Sequence, residues 1–142
     1  MTAYFGRRYT LSASHRLHAD ALSADENRAA YGKCNNPHGH GHNYTVQVTF
    51  SGQVDPATGM VCNLADLDAF AQTNLLARFD HANLNTLDCF ANKVSTTENL
   101  NIEIYRIFQR FTAAHLENVH VEETSNNSFD YAGDATPTPG TI

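Results

Sequence analysis

The chain has 142 residues, 42% of them hydrophobic, and its fifteen aspartates and glutamates against nine lysines and arginines leave a formal net charge of −6. This length predicts one domain with one core, and the scattered basic residues argue against a nucleic-acid groove, which needs clustered positive charge. Three cysteines without a Cys-x-x-Cys pair argue against a disulfide framework, and we find no signal-peptide pattern and no membrane-spanning run. We therefore expect a cytoplasmic protein.

Two strands are predicted in the first part of the chain. In residues 3–15 apolar side chains alternate with polar ones, and His15 continues the apolar parity. The same alternation indicates a strand over residues 42–51. The residues between the two strands, 16–37, are small and polar and predict a long excursion, which in a compact domain is often functional.

Two helices are predicted next. One extends from about residue 64 to residue 79, with Asn63 as its N-cap, because apolar residues recur there every three or four positions. The other begins near Thr96, where residues 95–98 have the spacing of a capping box.

The last two predicted strands are shorter and cover residues 119–123 and about 129–131. The element order is therefore β-β-α-α-β-β. It predicts an α+β fold, in which a four-stranded antiparallel sheet is covered on one face by both helices. We expect a single domain over residues 1–132 and a disordered tail over residues 133–142.

The stretch CNNPHGHGHNY, residues 34–44, contains one cysteine and three histidines, all of which are potential metal ligands. A strand repeats its side-chain direction every two residues, so His40 and His42 can face the same way. His15, at the end of the first strand, is the natural third ligand. Three histidines with an open fourth position describe a catalytic zinc site. The alternative is a glycine-rich turn whose histidines face solvent.

Cys34 has three interpretations at this point. The first is a small buried residue that packs like a hydrophobic side chain. The second is a fourth metal ligand, which would close the metal site. The third is a reactive thiolate. In the third case the neighbouring Lys33 is expected to lower the pKa of the thiol.

Two acidic positions are also candidates. Asp80 precedes His81 at a predicted helix end, where the imidazole either faces the negative end of the helix dipole or shuttles a proton with the carboxylate. Glu123 lies on the apolar parity of a strand. A carboxylate on an apolar face needs a compensating partner. The partner is either a cation in a salt bridge or a bound heterocycle whose guanidine-like edge donates two hydrogen bonds.

Six blocks of the sequence, in order, resemble the 6-pyruvoyl tetrahydropterin synthase family. Together they span nearly all of residues 5–131. The blocks are SASHRL at 12–17, GKCNNPHGHGHNY at 32–44, DPATGMV at 55–61, FDHANL at 79–84, STTEN at 95–99 and EETSNN at 122–127.

The resemblance implies the tunnelling fold, or T-fold, in which three chains close a barrel and two trimers stack into a homohexamer. Active sites then lie between subunits, and no nucleic acid or membrane is involved. The implied cofactor is Zn²⁺, held by His15, His40 and His42.

The resemblance also implies roles for the other candidate residues. Cys34 is similar to the family's general base, and Asp80 and His81 to the proton-relay partners that a neighbouring subunit contributes. Glu123 is similar to the pterin anchor. The segment that helps to hold the pterin comprises Thr96, Thr97 and Glu98.

The implied reaction is that of a zinc-dependent lyase of tetrahydrobiopterin biosynthesis. It converts 7,8-dihydroneopterin triphosphate to 6-pyruvoyl tetrahydropterin and releases triphosphate. Its contacts with the triphosphate remain open, with Arg16, Lys33 and Lys93 as candidates.

Three alternatives accompany this interpretation. A 6-carboxytetrahydropterin synthase of the queuosine pathway would release acetaldehyde, and a bifunctional member would catalyse both reactions. The spacing from Cys34 to His38 and His40 is typical of the carboxy branch, and that from Cys34 to His40 and His42 of the pyruvoyl branch. The third alternative is a non-catalytic pterin-binding protein.

Overall fold

The computed structural model describes residues 1–134 and is organised around one long antiparallel pair of strands. In chain order the elements are β1 (Thr2–His15), α1 (Ala24–Tyr31), β2 (His40–Gln53), α2 (Leu64–Ala71), α3 (Ala77–Phe79), β3 (Ala82–Asn83), α4 (Thr97–Phe108), β4 (His115–Glu122) and β5 (Ser128–Tyr131). β1 and β2 pair along all 14 residues of each strand, which places His15 opposite His40.

The sheet has five strands, in the order β3-β1-β2-β4-β5, rather than the four that were predicted. The four predicted strands are present as antiparallel neighbours. The additional strand, β3, pairs in parallel with β1 through Ala13 and Ser14. A two-residue strand is too short to show an alternation of apolar and polar side chains, so the sequence pattern could not reveal it.

The core lies between one face of this sheet and the helices. From β2, the fully buried side chains are Tyr44, Val46, Val48 and Phe50. From the helices, they are Leu67, Ala71, Leu75, Phe79, Leu100, Ile104 and Phe108. The helical residues recur every three or four positions, which gives each helix one apolar stripe toward the sheet. The predicted α+β arrangement is confirmed.

The helix predicted for residues 64–79 is present over that whole length. The Asn63 side chain accepts a hydrogen bond from the backbone N–H of Ala65 at 2.8 Å and caps α2. A π-helical segment, Gln72–Leu76, connects α2 to α3 without a break. The helix therefore delivers Asp80 and His81 directly after its last turn.

The stretch 16–37 contains a helix, α1, that the sequence pattern did not indicate. Ser23 and Glu26 form a capping box at its start, each side chain accepting the backbone N–H of the other. Asn27 is its only buried residue, and its amide bonds backbone groups of Ala19 and Leu22. Because α1 buries an amide rather than an apolar stripe, it leaves no hydrophobic periodicity in the sequence.

The predicted capping box at residues 95–98 is wrong by one residue. Thr96 is the N-cap of α4, and its hydroxyl accepts a hydrogen bond from the backbone N–H of Asn99 at 3.2 Å. Glu98 is the second helical residue and is exposed, one position short of the capping-box geometry. The carbonyl of Ser95 therefore lies outside the helix.

The predicted tail, residues 133–142, falls outside the described residues except for its first two positions. Over residues 1–134, none of the helices has the length and apolar character that crossing a bilayer requires.

Candidate metal and catalytic site

Three imidazoles converge where β1 ends and β2 begins. In the strand register His15 pairs with His40, and Ala13 pairs with His42. Potential ligand atoms of the three histidines all lie within 4.8 Å of one another. The Nε2 atoms of His15 and His40 are 3.1 Å apart. Over residues 1–134 this is the only group of three such side chains that could hold a metal ion.

A backbone carbonyl fixes the tautomer of His15. The side chain is 1% exposed, and its Nδ1 lies 2.7 Å from the carbonyl oxygen of Ser95. A carbonyl can only accept, so Nδ1 carries the hydrogen and Nε2 presents its lone pair to the other two histidines. Burial lowers the pKa of His15, which favours the neutral imidazole that a metal ion requires.

Two ring nitrogens of the cluster have no hydrogen-bond partner within residues 1–134. They are Nδ1 of His40 and Nε2 of His42, and both are buried. Burial also lowers the pKa of His42, although the Glu123 carboxylate opposes this effect. Buried ring nitrogens are normally satisfied. The unpartnered Nε2 of His42 and the facing Nε2 atoms of His15 and His40 therefore fit a metal site.

His38 does not join this cluster. Its side chain is exposed, and its backbone N–H donates to the Asn36 side chain at 3.2 Å. Gly39 follows with φ +72°, and a Cβ there would lie 3.1 Å from the carbonyl oxygen of His15. This glycine turn separates His38 from His40. The geometry thus follows the longer spacing, from Cys34 to His40 and His42.

Cys34 lies in a short 3₁₀ helix, Gly32–Asn35, whose backbone is tied to the end of β1. The carbonyl of Cys34 accepts a hydrogen bond from Leu17 N–H at 2.9 Å. The thiol is half-buried and is not one of the grouped metal ligands. Burial raises the pKa of the thiol and the Glu123 carboxylate raises it further, so the expected lowering by Lys33 is wrong for the chain alone.

Glu123 directly follows β4 and faces the histidine cluster. One carboxylate oxygen accepts a hydrogen bond from the Thr97 hydroxyl, and the other lies 4.0 Å from Nε2 of His42. The side chain is only 15% exposed. Thr96 is occupied in capping α4, and Glu98 is exposed. The structure therefore brings Thr97, but neither Thr96 nor Glu98, into hydrogen-bond contact with Glu123.

Sequence reasoning missed two participants. One is the Ser95 carbonyl, a backbone group that carries no signal in residue identity. The other is Tyr44, which is fully buried and lies edge-on to His42 with ring centroids 5.5 Å apart. Its hydroxyl has no hydrogen-bond partner among the described residues. Burial raises the pKa of that hydroxyl, which keeps it protonated. Its parity with His40 and His42 was the available signal.

Within residues 1–134, Asp80 and His81 make no hydrogen bond or ion pair with Cys34. One Asp80 oxygen accepts the backbone N–H of Ser12 at 2.9 Å, and the other lies 3.8 Å from the His81 ring. The His81 side chain is 83% exposed, and its backbone has a left-handed φ of 59°. Such a conformation is uncommon for a residue with a Cβ. It directs this imidazole outward.

Comparisons with known proteins agree on one family. The family model described as 6-pyruvoyl tetrahydropterin synthase matches residues 4–134. The chain is 48% identical to the 6-pyruvoyl tetrahydrobiopterin synthase of Homo sapiens, covering 93% of this chain and 92% of the relative. It is 46% identical to the Drosophila melanogaster protein of that name, covering 92% and 80%. The solved 6-pyruvoyl tetrahydropterin synthase of Caenorhabditis elegans superposes with a TM-score of 0.90 at 39% identity, covering 94% of this chain and 97% of that one.

The cluster geometry predicts opposite outcomes for two nearby histidines. His40→Asn should weaken metal binding by at least about 100-fold, because it removes one of three ligands. His38→Asn should leave binding unchanged. Metal content after purification and competition with a chromophoric chelator would measure both. Equal losses in the two variants would contradict the assignment of His40 in preference to His38.

Proposed function

The chain belongs to the 6-pyruvoyl tetrahydropterin synthase family, and we propose that it converts 7,8-dihydroneopterin triphosphate to 6-pyruvoyl tetrahydropterin with release of triphosphate. The observation that carries this proposal is the convergence of three imidazoles near a half-buried thiol and a largely buried carboxylate. A protein that only bound pterin would need neither the imidazoles nor the thiol.

His15, His40 and His42 are the proposed ligands of a Zn²⁺ ion. Three imidazoles suit zinc, and a site with three protein ligands leaves a position for substrate. When bound, zinc would polarise the side-chain oxygens of the substrate and acidify the adjacent C–H bonds. The Ser95 carbonyl supports this arrangement, since it fixes the ring orientation of His15.

Cys34 is the proposed general base. In the chain alone burial and Glu123 disfavour its thiolate, so the base needs nearby positive charge to form. A divalent cation at the three histidines would supply that charge. Cys34 would then remove a carbon-bound proton from the substrate side chain, at a position held by the short 3₁₀ helix.

Glu123 is the proposed pterin anchor. Its carboxylate can accept two hydrogen bonds from the amino and ring N–H groups of the heterocycle. Thr97 already donates to one oxygen and so holds the carboxylate in place. Thr96 and Glu98 are proposed to border the same pocket from the first turn of α4.

The outward position of His81 supports a site shared between subunits. We propose that Asp80 and His81 relay the proton for Cys34 of a neighbouring chain in a homohexamer. Each active site would then be built from residues of two chains, so one chain of 142 residues need not enclose the whole substrate. The three free cysteines fit a reducing cytoplasm.

Product identity tests the proposed reaction. The zinc-loaded protein would be incubated with 7,8-dihydroneopterin triphosphate without oxygen, and the pterins would be identified by mass spectrometry. We expect 6-pyruvoyl tetrahydropterin without acetaldehyde. A carboxypterin with acetaldehyde would assign the chain to the other branch, and no release of triphosphate would leave only pterin binding.

Cys34→Ala should separate the general base from a metal ligand. Loss of a positioned base typically lowers turnover about 10²- to 10⁴-fold, while zinc content should stay at the wild-type level. Cys62→Ala is the matched control, because Cys62 packs against the core and should not affect turnover. If zinc were lost together with activity, Cys34 would be a ligand.

Glu123→Gln should weaken binding of a non-reactive pterin by about 10- to 100-fold, because a neutral amide cannot accept both N–H groups as a carboxylate does. Zinc content should be unchanged. Glu122→Gln provides the control, since Glu122 contacts His120 on the other side of β4. Equal effects of the two substitutions would point to loss of charge rather than to a specific anchor.

A further inference from the structure

A polar cleft of about 730 Å³ opens directly beside the metal cluster. His15 forms part of its wall, and Gly39 and His38 border it where β2 begins. Its other polar lining includes Arg16, His18, Asp20, Asn83, Asn92 and Lys93. Neither Cys34 nor Glu123 lines the cleft, so it is separate from the proposed pterin pocket.

The strand register orders the two pockets along β2. Glu122 pairs with Thr45, so Glu123 lies level with Tyr44. His42 and His40 follow toward the start of the strand, and the cleft lies beyond Gly39. A strand rises about 3.3 Å per residue. The pterin anchor, the metal ligands and the cleft therefore follow one another over roughly 15 to 20 Å.

The proposed substrate has its chemical groups in the same order. A heterocycle is followed by a three-carbon side chain with hydroxyls and then by a terminal triphosphate. With the ring at Glu123 and the hydroxyls at the metal, the phosphates reach the cleft. We infer that this cleft is a polyphosphate-binding site with Arg16 as its principal cation, an inference that rests on the proposed function.

The surroundings of Arg16 prepare it for this role. Its backbone N–H and carbonyl are both held by the Asn85 amide, at 2.7 and 2.9 Å. Its Nε donates to the Asn35 carbonyl at 3.1 Å. The terminal nitrogens of the guanidinium make no further hydrogen bond within residues 1–134. A planar cation with two free donor groups on a fixed backbone suits bidentate binding of phosphate.

Lys93 adds positive charge at the same rim. It forms an ion pair with Glu103, but Arg106 binds the same carboxylate oxygen. Two cations thus share one anion. Asp20 is the one acidic residue among those that line the cleft. Lys33, the third candidate from the sequence, is exposed and does not line it.

The overall charge of the chain makes a localised site testable. At a net charge of −6, the protein as a whole repels a polyphosphate anion, so binding requires a local region of positive charge. Inorganic tripolyphosphate represents the triphosphate alone, and 7,8-dihydroneopterin represents the remainder of the substrate. The full chain would be freed of metal with chelator, because tripolyphosphate binds divalent ions itself.

Titration calorimetry would measure both probes on four proteins. We expect Arg16→Gln to weaken tripolyphosphate binding about tenfold or more and to leave 7,8-dihydroneopterin binding unchanged. Asp20→Asn should strengthen tripolyphosphate binding about twofold, because it removes the opposing charge. Arg110→Gln is the control, because it removes the same charge at a distant position. Arg110 lies just beyond the C-terminal end of α4, and the helix separates it by about 18 Å from the first turn of α4. This substitution should have no effect on tripolyphosphate binding.

Equal losses in Arg16→Gln and Arg110→Gln, or no saturable binding to the wild-type chain, would overturn the inference. A loss of 7,8-dihydroneopterin binding in Arg16→Gln would also overturn it, since that result would indicate general damage to the site. The proposed reaction can be contradicted independently of this inference. If the chain binds tripolyphosphate through Arg16 but forms no pyruvoyl product, the polyphosphate site is supported and the proposed reaction is wrong.

Discussion

The antiparallel pairing of β1 with β2 is the constraint on which the rest of the structure depends. Its register places His15 opposite His40 and brings His42 next to them on the same face. A slip of one residue would turn an entire strand over, because side chains alternate between faces. The buried alternate residues of both strands oppose such a slip. The packing of the core thus also positions the metal ligands.

The start of α4 is the second organising point, since three consecutive residues there have three different partners. Ser95 orients His15 through its carbonyl, Thr96 caps the helix, and Thr97 holds Glu123. Helix stability, ligand orientation and the proposed substrate anchor therefore depend on the same turn. A helix beginning at Ser95 instead would have drawn its carbonyl into the helical hydrogen bonds.

Burial dominates the electrostatics of the site. Burial lowers the pKa values of His15 and His42 and raises the pKa of the Cys34 thiol, so it favours the uncharged form of all three groups. Meanwhile His81 points outward on a left-handed backbone. The proposed metal ion would supply positive charge near Cys34, and the proposed neighbouring subunit would supply a Cys34 for His81 to act on. The polar cleft beside His15 lies on the other side of the histidine cluster from Glu123.

The sequence by itself determined the two long strands and the helix over residues 64–79, because alternation and helical spacing record which side chains share a face. It made His15, His40 and His42 candidate ligands but left the place of His38 open. Residue identity could not reveal β3, which is too short for a pattern, or α1, which buries an amide instead of an apolar stripe. Only the tertiary structure decided that His38 lies outside the cluster, that α4 starts one residue later, and that a backbone carbonyl orients His15. Each of these depends on turns and backbone groups, whose positions follow from packing between distant segments rather than from local side-chain chemistry.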